Sequence, residues 1–155
     1  MLSQVYGEFA IEKASSAELQ EAINFMFRWY QKSAKCYVYL SDGSSVGISA
    51  AFLHSKWFTR GWTLQELLAP ESVQFFSAEG DLLGDKLSLW ADIEMITKIP
   101  LDILHGRYDV RKRLSWAAEW KTTREEDAAY SLLGLFDLHM PLLYGEGRRK
   151  AFMHL

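Results

Sequence analysis

The stretch WFTRGWTLQELLAP at 57–70 holds the residues best placed to do chemistry: Arg60 ahead of Gly61, Glu66 three residues after Thr63, and Trp57 and Trp62 on either side of the arginine. Glu66 has two readings. It can act as a catalytic carboxylate, or it can complete a capping box with Thr63 in the first turn of a helix, a role worth about 0.5–2 kcal/mol. The planar fork of Arg60 suits a phosphate or a carboxylate equally well. The two tryptophans could line a pocket, although indoles in such positions more often belong to the core. Further on, Arg124, Glu125, Glu126 and Asp127 begin a helical pattern. Acids there suit the positive end of the helix dipole, and Asp127 could receive an arginine; a solvated helix start capped by Thr123 with Glu126 is the expected arrangement. YGEG at 144–147 reads as a tight turn carrying Glu146 into a last helix. His54, His105, His139 and His154 are too scattered, beside a single cysteine, for zinc-ligand spacing. No glycine-rich phosphate loop is present.

The elements that must position these residues follow from periodicity and turn chemistry. A helix is expected over Ser15–Lys32, with Ser15 and Glu18 at capping-box spacing and Leu19, Ile23, Met26 and Tyr30 on one face. CYVYL at 36–40 reads as a buried strand closed by the turn SDGSS, and 43–53 as a loop or weak helix. A helix from Thr63, stopped by Pro70, precedes a second strand at 72–77; AEGDLLGDK then supplies a turn or hairpin. Two strands joined through a helix favour a parallel pair. Helices are expected at 87–97, 110–120 and 124–135, so the second half is mainly helical.

Composition fits one soluble domain: 155 residues, 49% hydrophobic and 24% charged. The net charge of -3 and a pI near 5.8 argue against a nucleic-acid-binding surface. No apolar run reaches membrane-spanning length, and the first residues have no leader-like pattern. The lone Cys36 points to a reducing compartment, the cytoplasm by default. Six Trp, seven Tyr and nine Phe predict a core of large, rigid rings.

Four segments carry a resemblance that covers most of the chain: SSAELQEAINFMFRWYQKSAKCYVYL at 15–40, WFTRGWTLQELLAP at 57–70, ITKIPLDIL at 96–104, and RLSWAAEWKTTREEDAAYSLLGLFDLHMPLLYGEG at 113–147. In this order they resemble the fungal heterokaryon incompatibility (HET) domain, whose members act as cell-death effectors often joined to nucleotide-binding and repeat sensor domains. The family's opening strings, of the LSYxWG and WIDxxCIxQ type, are not found here, with only Ile11, Glu12 and Lys13 as a trace. The resemblance therefore implies a partial domain over 1–155 that lacks the first strands and stops within the last helix. The expected fold is α/β, with a small, mostly parallel sheet flanked by helices and a helical C-terminal part.

HET domains remotely resemble Toll/interleukin-1 receptor (TIR) domains. Laying the present order of elements on the TIR order puts Glu66 where NAD-cleaving TIR enzymes carry their glutamate. The resemblance implies NAD as a possible substrate, with Glu66 stabilising the oxocarbenium-like state as the nicotinamide–ribose bond breaks and Trp57, Arg60 and Trp62 helping to form the pocket. With the first strands lacking, the chain by itself is expected to have little or no such activity. The alternatives are a homotypic adaptor that works without chemistry, through contacts with other HET domains or a sensor protein, and an inactive fragment or decoy.

Overall fold

The computed structural model describes residues 16–43, 52–104, 110–117 and 120–155. Ser15, expected to help cap the first helix, and most of the loop at 43–53 lie outside them. Helix α1 (Ser16–Lys32) buries Ile23 and Met26, with Leu19, Phe27 and Tyr30 packed alongside, as the 3.6-residue period requires. It leads into strand β1 (Cys36–Tyr39). The chain then passes through a 3-10 turn at Lys56–Thr59 and helix α2 (Thr63–Leu68) into β2 (Val73–Phe76), followed by β3 (Leu82–Asp85). Helices α3 (Trp90–Thr97), α4 (Val110–Ala117), α5 (Asp127–Tyr130) and α6 (Arg148–His154) follow, with further 3-10 turns at Leu101–Leu104 and Leu133–Phe136.

The three strands form one sheet in the order β1-β2-β3. β1 and β2 are parallel, with Cys36 opposite Val73 and Val38 opposite Phe75. This is the α/β arrangement expected of two strands joined by a helix. The second pairing, β2 with β3, is antiparallel and carries a bulge between Phe75 and Phe76. Ser77 closes this hairpin: its backbone N–H donates to Asp81 at 2.9 Å, and its hydroxyl accepts from the N–H groups of Glu79 and Asp81. So short a link allows only a reversal of direction, whereas a parallel neighbour needs a crossover.

One face of the sheet supplies Cys36, Val38, Val73 and Phe75 to the main core, where Phe52, Trp57, Phe58 and Phe75 pack mostly edge to face at 5.0–6.0 Å between ring centroids. A second cluster joins Ile23 and Met26 of α1 to Ala129, Tyr130, Leu133 and Ala151.

Three local expectations are corrected. Thr63 does not cap α2: the preceding position is Trp62, which makes no side-chain cap. The Thr63 hydroxyl instead donates to the carbonyls of Trp57 and Arg60, both at 2.7 Å, fastening the helix to the 3-10 turn before it. Nor does Thr123 cap the helix after it, because the residue before α5 is Glu126 and its carboxylate is used elsewhere. The helix expected over 124–135 is divided into α5 and a 3-10 turn, which brings Gly134 against Phe27 of α1.

Candidate functional site

The residues singled out at 57–66 are divided by the fold between two neighbouring clusters. In the first, Trp57 and Glu66 are both buried, at 5% and 4% exposure. α2 is short and enclosed, with Thr63 through Leu67 all buried, so Glu66 in its first turn points into protein rather than toward water or the helix's own N–H groups. Burial raises its pKa to about 7, partly opposed by the Tyr30 hydroxyl, the Trp57 indole and the charge of Arg60. Glu66 Oε2 nevertheless has no hydrogen bond of good geometry, and neither does Trp57 Nε1. The expected capping box is therefore overturned, and Glu66 is a buried acid poised between its two charge states.

Its surroundings are affected in turn. Burial and the Glu66 charge raise Tyr30, and the same two causes push the Cys36 thiol up to about 12, leaving it unreactive. Lys86 lies nearby, only 2% exposed, and burial lowers its proton affinity. Its ammonium donates to Leu67 O and Pro70 O, so it satisfies carbonyls at the C-terminal end of α2.

Arg60 is exposed and held by its backbone, which bridges Lys121 in parallel: Gly61 N donates to Lys121 O at 2.7 Å and Lys121 N to Thr59 O at 2.6 Å. A Cβ at Gly61 would stand 2.4 Å from Thr122 Cγ2, so a side chain there must displace the Thr122 methyl.

Trp62 turns away from Glu66 into the second cluster. Its indole N–H donates to Asp127 Oδ2 at 3.4 Å, and the Tyr144 hydroxyl donates to Asp127 Oδ1 at 2.8 Å. Arg124 stands over the Tyr144 ring at 4.5 Å. Glu126 Oε1 accepts from the N–H groups of Gly145 and Gly147 at 2.8 and 2.9 Å, which hold it below the usual carboxylate range. The Tyr130 hydroxyl accepts from Leu143 N at 2.8 Å, and Glu146 pairs with His154 at 3.1 Å. The solvated helix start expected at 124–127 is thus corrected for its second half: Glu126 and Asp127 are buried and bind the YGEG turn. The turn itself forms as expected, with positive φ at Gly145 and Gly147. The signal for this cluster was the acid pair and the glycine-flanked turn, but only the fold shows that they meet.

Asp127→Ala is expected to lower stability by about 2 kcal/mol, because it strands a tyrosine hydroxyl and an indole N–H together. Urea unfolding followed by tryptophan fluorescence checks this, and an unchanged midpoint would exclude a fastening role for Asp127.

Two surface clefts of about 350 and 310 Å3 lie away from Glu66, one between α1 and the segment Asp137–His139, the other between α4 and α6. Neither is lined by Trp57, Arg60, Trp62 or Glu66. A ligand can meet the Glu66 carboxyl only if the cover made by Trp57 and its neighbours opens. Among the described residues no group of three or more His, Cys, Asp or Glu side chains could hold a metal ion, and no described helix is long and apolar enough to cross a membrane.

No family model matches the chain, and no solved structure matches it significantly. Among curated proteins, it is 54% identical over 157 aligned residues, 94% of its own length, to the vegetative incompatibility protein HET-E-1 of Podospora anserina. The chain is thus similar, over nearly all of its own length, to one segment of a vegetative incompatibility protein. It spans 12% of the length of that relative. The chain is an α/β unit in which the segment 57–66 buries Glu66 on one side and is held to Asp127 through Trp62 on the other.

Proposed function

We propose that this chain is a signalling or effector module of heterokaryon incompatibility, acting in the cytoplasm to trigger cell death through contacts with other copies of its domain or with a sensor protein. The observation that carries the reading is the 54% identity to HET-E-1 over nearly the whole chain. The test is to replace the matching segment of HET-E-1 with these 155 residues and score the incompatibility reaction between confronted strains. Retention of the reaction at matched protein levels is expected. Its loss, with the hybrid protein present and folded, would overturn the proposal.

A second reading, that the domain cleaves NAD, is favoured by the state of Glu66. A buried carboxyl with one unpaired oxygen, beside an unpaired indole N–H, costs stability and serves no cap. Acids held near neutrality by burial concentrate at functional sites. In this reading the cover opens, Glu66 faces the ribose as the nicotinamide bond breaks, Trp57 supplies a ring face and Arg60 meets the pyrophosphate. Trp62 takes no direct part, because its indole is anchored on Asp127 in the neighbouring cluster. Nicotinamide release by the hybrid, measured with and without Glu66→Gln, separates the two readings. Release abolished by the substitution supports catalysis, and unchanged cell death without release leaves the adaptor.

A further inference from the structure

The cleft of about 310 Å3 between α4 and α6 is lined by Val110, Leu114, Phe136, Leu138, Phe152 and Leu155, every one of them apolar. It is open to water: Val110 is 55% exposed and Leu138 38%. A contiguous apolar depression on a soluble domain calls for a partner. The charges around it say which kind. Val110 and Leu114 stand one turn apart on α4, so the neighbouring positions, Arg111 and Arg113, flank that row on its two sides. Arg113 donates to Leu135 O, directly beside Phe136. On α6 the Arg148 guanidinium lies 5.6 Å from the centre of the Phe152 ring, at the rim, and Arg149 follows on the exposed side. Arg111, Arg148 and Arg149 thus stand at the rim of one apolar cleft, with Arg113 committed to the Leu135 carbonyl and the nearby Asp137 paired with Arg28, in a chain whose net charge is -3.

We propose that this cleft is a docking site for an amphipathic helix whose apolar face is flanked by acidic residues, presented by another protein. Two features favour a helix over a lipid surface. The apolar groups line a depression between two helices rather than project from the surface, and Leu114, Phe136, Phe152 and Leu155 are only partly accessible. A row of side chains at helical spacing fits such a groove, with the arginines pairing to carboxylates along its edges. The inference is independent of any chemistry at Glu66.

The test uses the 155-residue chain and two fluorescein-labelled helical peptides of identical apolar face, one with Glu and one with Lys on the flanks, read by fluorescence anisotropy. The Glu peptide is expected to bind about tenfold more tightly than the Lys peptide, with the preference shrinking as salt is added. Both Arg111 and Arg149 are exposed, so the double variant Arg111→Glu with Arg149→Glu should fold normally and reverse the preference. Leu114→Ala should weaken both peptides. Equal binding of the two peptides, or binding of neither, overturns the proposal. Binding to phosphatidylserine-containing vesicles without binding to the Glu peptide also overturns it and makes the cleft a membrane contact.

Discussion

Glu66→Gln stabilises the folded chain at pH 8 and leaves it nearly unchanged at pH 5. The expectation follows from the carboxyl's proton affinity, raised from the ordinary 4.5 to about 7 by burial. Between these two values the folded state holds a proton that the unfolded state has released. Stability therefore falls as pH rises through that window and stays lower above it. A difference of this size corresponds to about 3 kcal/mol. Glutamine keeps the shape and cannot ionise, so it does not incur the loss. Urea unfolding of both proteins at pH 5, 6, 7 and 8 gives the result directly. Glu126 and Asp42, with lowered proton affinities, titrate below this window, and Asp127, raised by burial, is common to both proteins and cancels in the difference. Parallel stability profiles for the two proteins would mean that Glu66 is charged and solvated in the folded chain. The measurement also bears on function, because an acid kept at a net cost to stability is the kind of residue retained for a role other than folding.

Gly134→Ala is expected to destabilise the chain by about 3 kcal/mol, a large effect for one methyl group. Gly134 lies in the 3-10 turn that presses on α1, and a Cβ there would stand 2.0 Å from Phe27 Cβ and 2.5 Å from Phe27 Cγ. The nearest atom is the root of a helical side chain, so a rotamer change cannot relieve the overlap; α1 or the turn must move. This yields a sharp second test. Phe27→Ala keeps the Cβ and should not rescue Gly134→Ala, whereas Phe27→Gly removes it and should recover part of the loss despite the helix cost of glycine, about 1 kcal/mol. Equal rescue by both would place the clash in the aromatic ring rather than at the helix backbone.

The helix α1, the strands at 36–39 and 73–76, the stop at Pro70 and the aromatic core were all legible in the sequence, because each rests on local periodicity, turn chemistry or side-chain size. The parallel pairing of β1 and β2 followed from the helix between them, and the resemblance to heterokaryon incompatibility domains from long strings of unusual residues.

What the sequence did not reveal lies in contacts between distant segments. Thr63 and Glu66 have the spacing of a capping box, but a helix only six residues long, its first five buried, turns its one acid toward Tyr30 of α1 and Trp57. Gln20 and Asn24 occupy the polar face of an amphipathic helix; in the fold Asn24 exchanges hydrogen bonds with the backbone of Met140, and Gln20 accepts from Leu142 N. Glu126 and Asp127 sit where charges favour a helix dipole, yet their partners are the turn at 144–147 and Trp62. Spacing along the chain fixes which side chains share a face, and so the sequence by itself determined most of the elements and the resemblance they carry. The tertiary structure alone decided which faces meet, because whether a carboxylate becomes a cap, a clasp or a buried acid depends on the groups that replace its water.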